Sequence, residues 1–250
     1  MTLELRRRLL QPAADQNLQA RMREQISQPP VPQASATAVL LPVQTLRERP
    51  GTLTRAAALL GGAGSMPIAD DDGADIALAL EAAATIPAPR LERFLQPLRG
   101  LRNLVVADGL LLRHLREWLP RPKTMSLGEA LSGLKKVRRA LGASDLYVIE
   151  PRAYHADYQR LVKYYDALRA DRGCAFNLDL QRIAIPATAC SVSQRPGLEA
   201  IDDEVQARWI LQGRTITRVV VESLEDGAAF EKISDCAVVH LADLVDDATS

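Results

Sequence analysis

The chain has 250 residues, of which 47% are hydrophobic, 25% are charged and 4% are aromatic. This composition excludes an intrinsically disordered chain, and the abundance of Ala, Leu and Val favours helices packed on a sheet over an all-β sandwich. The formal net charge of zero argues against a protein devoted to nucleic acids or membrane surfaces, because such proteins usually carry a basic excess.

Residues 3–27 are predicted to form a helix, and an apolar residue recurs at every fourth position of its main part. This stripe consists of Leu10, Ala14, Leu18, Met22 and Ile26. Residues 28–36 are rich in Pro and Gln, which predicts a linker between a docking helix (residues 1–27) and one α/β domain (residues 37–250). The stripe must be covered by its own domain, by a second copy or by a partner. We expect Leu10, Leu18, Met22 and Ile26 to bind another protein subunit.

The remainder of the chain shows alternating strand and helix patterns from about residue 100 onward. Strands are predicted at 37–41, 103–107, 146–149, 175–180, 183–185, 215–223 and 237–241. Helices are predicted at 52–60, 76–85, 91–98, 110–119, 127–141, 152–170, 198–211 and 227–233. This order predicts a three-layer α/β fold with one mixed, mostly parallel sheet of five to seven strands and flanking helices.

The net charge of zero conceals an uneven distribution. Residues 90–172 carry 17 basic and 9 acidic side chains, whereas residues 197–250 carry 4 and 12. The two segments either face different partners or attract each other within the fold. The basic candidates for contacts with phosphate or with an acidic partner are Lys135, Lys136, Arg139 and Lys163. Tyrosines lie among these positions, and such a pattern fits either a nucleic-acid strand or a solvated face over a Tyr/Leu core.

Three carboxylates near the C-terminus are candidates for catalysis. Glu222 ends a predicted strand, Asp226 begins the following helix, and Asp243 follows the last strand. Carboxylates at the carboxyl ends of adjacent strands are where α/β sheets bind metal and phosphate. The segment 218–247 resembles the magnesium-binding fold of topoisomerases and primases, which would imply Mg²⁺ or Mn²⁺. The Asp-x-Asp pair of that family is absent, and the alternative is an acidic rim that closes the sheet.

Cysteine and histidine spacing predicts no local metal site. Cys174, Cys190 and Cys236 form no CxxC pair, and none of the three histidines has the spacing of a metal clamp. We therefore expect neither a bound metal nor another cofactor. The cysteine usage, the lack of a secretion-signal pattern at the N-terminus and the lack of a membrane-length apolar run predict a cytoplasmic protein without membrane insertion.

The sequence contains no complete catalytic constellation. Our leading hypothesis is a non-catalytic component of a cytoplasmic multiprotein assembly, which docks through its N-terminal helix and one charged face. One alternative is a metal-dependent nuclease or phosphoryl-transfer enzyme with a carboxylate site near the C-terminus. The other is a nucleic-acid-binding subunit that uses the basic helices within 126–172.

Overall fold

The computed structural model describes residues 14–27, 37–188 and 202–245. Within them, seven strands form two sheets. The strands are β1 (Ala38–Leu41), β2 (Asn103–Val106), β3 (Lys123–Ser126), β4 (Asp145–Val148), β5 (Ala175–Phe176), β6 (Arg218–Val221) and β7 (Ala237–His240). The first sheet has the order β1-β2-β3 and the second the order β5-β4-β6-β7, and all pairs are parallel. The α/β prediction is confirmed, but the strands are divided between two parallel sheets instead of one mixed sheet.

Helices flank both sheets, as the three-layer prediction requires. They are α1 (Ala14–Ser27), α2 (Gln44–Arg47), α3 (Pro50–Gly61), α4 (Ala74–Glu81), α5 (Ala88–Leu95), α6 (Gly109–Trp118), α7 (Leu127–Ser132), α8 (Lys135–Ala140), α9 (Pro151–Ala156), α10 (Tyr158–Arg172), α11 (Asp203–Leu211) and α12 (Leu224–Glu231). Consecutive residues Leu104, Val105 and Val106 of β2 are all buried. This pattern is typical of a parallel strand covered on both faces. No helix in the described ranges is long and apolar enough to cross a membrane.

Two predicted long helices are each divided into two. The helix predicted at 127–141 becomes α7 and α8, and the helix predicted at 152–170 becomes α9 and α10. At the second break, Asp157 has non-helical backbone angles (φ −145°, ψ 48°), and its carboxylate accepts a hydrogen bond from the Arg160 side chain. Ser126 caps α7, since its hydroxyl accepts a hydrogen bond from the Glu129 amide.

The acidic segment before α4 is held by a buried arginine. Arg90 of α5 is fully buried and donates hydrogen bonds to both carboxylate oxygens of Asp71 and of Asp75, at 2.7–2.9 Å. A buried guanidinium requires such paired acceptors, because an unpaired charge in the interior costs several kcal/mol. These aspartates therefore fix the loop against α5.

The N-terminal helix packs on its own domain. Leu18 and Met22 are buried and contact Leu78 and Ala79 of α4. The Gln19 amide also donates a hydrogen bond to the Thr85 carbonyl. The expectation that Leu18 and Met22 bind a partner is therefore wrong for the described state, since docking within the chain buries the stripe without the entropy loss of association.

Ile26 is the one further stripe position whose side chain the structure describes. Ile26 is only half-buried, and its carbonyl accepts a hydrogen bond from Arg93. Leu10 lies outside the described residues, as does the predicted linker 28–36. The proposed domain boundaries stay a prediction.

We expect Met22→Ala to lower the free energy of unfolding by about 2 kcal/mol, because Met22 is fully buried against α4. The matched control is the exposed neighbour Arg23, for which Arg23→Ala should change stability by less than about 0.5 kcal/mol. Urea denaturation measures both values. Equal effects of the two substitutions would contradict the docking of α1.

A candidate site where both sheets end

The carboxyl ends of strands from both sheets meet at one cleft, which we call the strand-end cleft. Its lining includes Gln44 after β1, Asp108 after β2, Glu150 and Arg152 after β4, and Ser223 and Glu225 after β6. The cavity has a volume of about 60 Å³ and adjoins a polar groove of about 490 Å³. Gln44, Asp72, Ala74 and Leu78 line both spaces.

Four polar side chains of the cleft cap helices that begin there. Asp72 accepts a hydrogen bond from the first amide of α4, Asp108 from two amides of α6, Glu150 from two amides of α9, and Ser223 from one amide of α12. Capping satisfies amides that lack a partner in the helix, and carboxylates there complement the helix dipole. The acidic residues of the cleft are thus partly balanced by helix N-termini.

Glu150 is held tightly between α6 and α9. A Cβ atom on Gly109 would lie 2.1 Å from Oε2 of Glu150 and 2.5 Å from the Ala153 nitrogen, so only glycine fits this position. Burial raises the pKa of Glu150 to about 8, against the lowering effects of Arg152 and the Ala153 amide. Asp226 and Asp108 raise this pKa further. Burial thus favours the neutral form of the Glu150 carboxyl, while the amides that it caps favour the carboxylate.

Arg152 is the one cation among the described residues that line the smaller cavity. Its Nη2 atom lies 3.2 Å from Oε1 of Glu81, which is itself buried. The pair places a guanidinium and a carboxylate side by side, so the cleft offers both donors and acceptors.

The predicted candidate Glu222 lies beside the cleft in a buried network. The hydroxyls of Tyr147 and Tyr165 donate hydrogen bonds to Oε1 of Glu222 at 2.6 Å, and the Glu150 amide donates to Oε2 at 3.0 Å. A Cβ atom on Gly128 of α7 would lie 2.0 Å from the Glu222 carboxyl carbon. Burial raises the pKa of Glu222 to about 7, although the three hydrogen bonds oppose this rise.

His240 at the end of β7 completes this network. The Ala242 amide donates a hydrogen bond to its Nδ1 atom, so Nε2 carries the proton and donates to the Glu222 carbonyl at 3.1 Å. Burial lowers the pKa of His240 to about 4, and the imidazole is neutral at pH 7.

The three carboxylates predicted to bind a metal have separate partners. Thr188 donates a hydrogen bond to the buried Asp226, and Asp243 accepts hydrogen bonds from Thr52 and Arg55 of α3. In the part of the chain that the structure describes, no three His, Cys, Asp or Glu side chains are grouped so that they could hold a metal ion. The expected grouping of Glu222 with these two aspartates is therefore wrong, since each carboxylate already binds donors of the chain.

The four basic candidates are all exposed. Neither an ion pair nor a side-chain hydrogen bond engages Lys135, Lys136, Arg139 or Lys163 within the described ranges. Their basic neighbours are engaged: Arg138 pairs with Asp171, Arg160 with Glu129, and Arg172 with the Leu141 carbonyl. We call the four residues the basic face.

Most of the tyrosines near the basic face are unavailable for stacking. Tyr154 and Tyr165 are buried, and the half-buried Tyr164 hydroxyl hydrogen-bonds Ser132. Tyr158 is 36% exposed. Binding of single-stranded nucleic acid typically combines cations with exposed rings, so this arrangement favours an acidic protein over nucleic acid as a partner.

Asp108, Glu150 and Arg152 were not among the predicted site residues. The signal for them was present, because Asp108 and Glu150 each follow a predicted strand and precede a predicted helix. Glu222 was predicted from the same position, after a strand and before a helix, but it lies in a buried network.

The chain matches no protein-family model, no curated protein and no solved structure. The interpretation of the site therefore depends on its geometry alone.

The raised pKa of Glu222 has a measurable consequence. Because the folded-state pKa of about 7 exceeds the ordinary value of 4.5, the contribution of Glu222 to stability is fully present below about pH 4.5 and is lost as the pH rises through 7. From about pH 5 to about pH 8, the wild type should lose about 2 kcal/mol relative to Glu222→Gln. Urea denaturation across this pH range measures the difference between the two proteins.

His240 changes the stability with pH in the opposite direction to Glu222. Because both proteins contain His240, its contribution cancels when wild type and Glu222→Gln are compared. The stability contribution of His240 is present above pH 6.5 and is lost as the pH falls towards 4. Glu117→Gln is the control, because Glu117 is exposed on α6. A difference between wild type and Glu222→Gln that stays constant with pH would contradict the assignment.

Proposed function

We propose that this protein binds a small polar molecule in the strand-end cleft. The observation that supports the proposal is that the carboxyl ends of strands from both parallel sheets line one cavity. In open α/β sheets, ligands bind in crevices outside the carboxyl ends of the strands, where loops and helix N-termini present polar groups.

The groups around the cavity suit a ligand with several hydrogen-bonding atoms. Arg152 and Ser223 are donors, while Asp72 and Glu225 are acceptors. The adjoining groove adds Arg47, whose Nε atom lies 3.3 Å from Asp72. Charges of both signs in one cleft favour a polar ligand over an apolar one.

The proposal is tested by filling the cleft. Gln44 lines both the cavity and the adjoining groove. Its side chain is exposed and donates a hydrogen bond to the nearby Glu48 carboxylate. We expect Gln44→Trp to abolish ligand binding with little change in the melting temperature of the ligand-free protein. Native mass spectrometry of protein purified from its host identifies a co-purifying molecule. Thermal-shift titration with that molecule, or with a set of polar metabolites, then measures binding.

The matched control is Gln159→Trp, which places the same side chain at an exposed position of α10 remote from the cleft lining. It should bind the ligand as the wild type does, with a stabilisation that grows with ligand concentration. Equal binding by Gln44→Trp and wild type, or no ligand for the wild type in either assay, would contradict the proposal.

A second candidate function is that of a component of a multiprotein assembly. The specific observation that favours it is the basic face, whose four cations are exposed and unpaired within the described ranges. Unpaired cations on one surface attract an acidic partner and increase its association rate. The apolar stripe of α1 contributes less, because Leu18 and Met22 are covered.

We expect the triple variant Lys135→Glu, Lys136→Glu, Arg139→Glu to lose protein partners that the wild type retains in affinity purification from the native host. The control reverses the exposed cations Arg102, Arg121 and Lys123 to Glu, which changes the net charge equally. Quantitative mass spectrometry compares the two samples. Identical partners for both variants would remove the basic face as a docking surface.

A further inference from the structure

The helix N-termini around the strand-end cleft are already occupied by side chains of the same chain. In many α/β proteins the amides of such N-termini bind phosphate. Here Asp108 accepts hydrogen bonds from two amides at the start of α6, and Glu150 from two amides at the start of α9. Asp72 and Ser223 cap α4 and α12 in the same way. A phosphate group would have to displace these caps, three of which are carboxyl groups that repel it.

The charges that line the cleft are predominantly acidic. Among the described residues, the smaller cavity is lined by one guanidinium group and by five carboxyl groups, those of Asp72, Glu81, Asp108, Glu150 and Glu225. The adjoining groove adds four more carboxyl groups and three guanidinium groups. The acidic excess remains when Glu150, whose pKa burial raises to about 8, is counted as neutral. A concave surface of this charge concentrates cations from solution.

Asp108 is a carboxylate of the cleft that has capacity for a further donor. The guanidinium groups of Arg47, Arg90 and Arg152 already bind other carboxylates. The two amides that Asp108 caps both donate to its Oδ1 atom, and no described residue donates a hydrogen bond to Oδ2. The Asp108 carboxylate also lies near Glu150, whose pKa it raises. A bound cation would relieve this repulsion and supply a donor for Oδ2.

The dimensions of the cleft fit an organic cation. In the described ranges, no three His, Cys, Asp or Glu side chains are grouped so that they could hold a metal ion. The smaller cavity of about 60 Å³ admits a head group of a few atoms, and the groove of about 490 Å³ admits the body of a small molecule. An ammonium group has three donors and no acceptor, so it can bind carboxylates that are too far apart to ligate one metal ion.

We propose that the ligand of the strand-end cleft is a small molecule with ammonium groups and without phosphate, and that one ammonium group binds Oδ2 of Asp108. This inference rests on the ligand-binding function proposed above and names the chemical class of the ligand. A polyamine and a basic amino acid share this chemistry. The acidic excess of the cleft favours the polyamine, because an amino acid brings a carboxylate of its own.

Isothermal titration calorimetry of the full chain at constant ionic strength provides the first test. The cationic probes are spermidine, putrescine and lysine, and the anionic probes are inorganic phosphate and AMP. We expect spermidine to bind with a dissociation constant of about 0.1 mM or lower, lysine to bind more weakly, and the anionic probes not to bind. An increase from about 0.05 M to about 0.5 M salt should weaken spermidine binding, because added ions screen the carboxylates.

Asp108→Asn tests the proposed contact directly. The Asn oxygen can still cap α6, but the negative charge is lost, so spermidine should bind at least about 10-fold more weakly. The matched control is Glu117→Gln, which removes an exposed carboxylate from the far end of α6, outside the described lining of the cleft. It should bind spermidine as the wild type does. Circular dichroism shows whether each variant is folded.

A second variant, Asp70→Asn, removes an exposed carboxylate of the groove. It should bind spermidine about 3-fold more weakly, because less negative charge faces the body of the ligand. This variant decides the matter if Asp108→Asn does not fold. Wild-type affinity for spermidine in either folded variant would overturn the inference, as would the absence of amine binding by the wild type.

The Gln44→Trp variant separates this inference from the proposed function. Binding of phosphate or AMP that Gln44→Trp abolishes would refute the ammonium class and leave the ligand-binding function intact. Spermidine binding that persists in Gln44→Trp would place the amine outside the cleft and contradict this inference. If no probe binds, the inference fails, and the molecule that co-purifies with the protein decides the proposed function.

Discussion

The buried carboxyl group of Glu222 fixes the carboxyl end of the second sheet. It lies at the end of β6 and accepts hydrogen bonds from Tyr147 on β4, from Tyr165 on α10 and from the Glu150 amide. Gly128 approaches it from α7, which follows the last strand of the first sheet. A buried carboxyl must be bonded or protonated, and here both conditions contribute. This requirement ties the end of β6 to β4 and α10, and Gly128 of α7 encloses the carboxyl from the side of the first sheet.

That arrangement explains why the candidate site lies where it does. Strands of a parallel sheet present their carboxyl ends on the same side, and the helices that follow begin there. The structure uses polar side chains such as Asp108 and Glu150 to cap those helices, and the capped ends form the wall of the cleft. The same residues thus stabilise the fold and supply the groups available to a ligand.

Charge on this protein is divided between groups that are satisfied internally and groups that face solvent. Arg90, with Asp71 and Asp75, is enclosed, and Asp243 is held by Arg55. The four cations of the basic face instead remain exposed, so the overall neutrality of the chain coexists with a locally basic surface. The apolar stripe of α1, which the sequence shows as clearly as these charges, is used within the chain.

Local patterns in the sequence determined the class of the fold and most of its strands and helices. The buried runs of β2 and β6, and the cap at Ser126, can be identified from a few neighbouring residues. The sequence also placed Glu222 at a strand end but could not reveal that it is enclosed, because Tyr165 and Tyr147 lie 57 and 75 positions away. The division into two sheets, the docking of Met22 and the access of Glu150 to the cleft were likewise decided by tertiary structure. Each depends on contacts between distant segments, and the periodicity of one segment contains no information about the surface against which it packs.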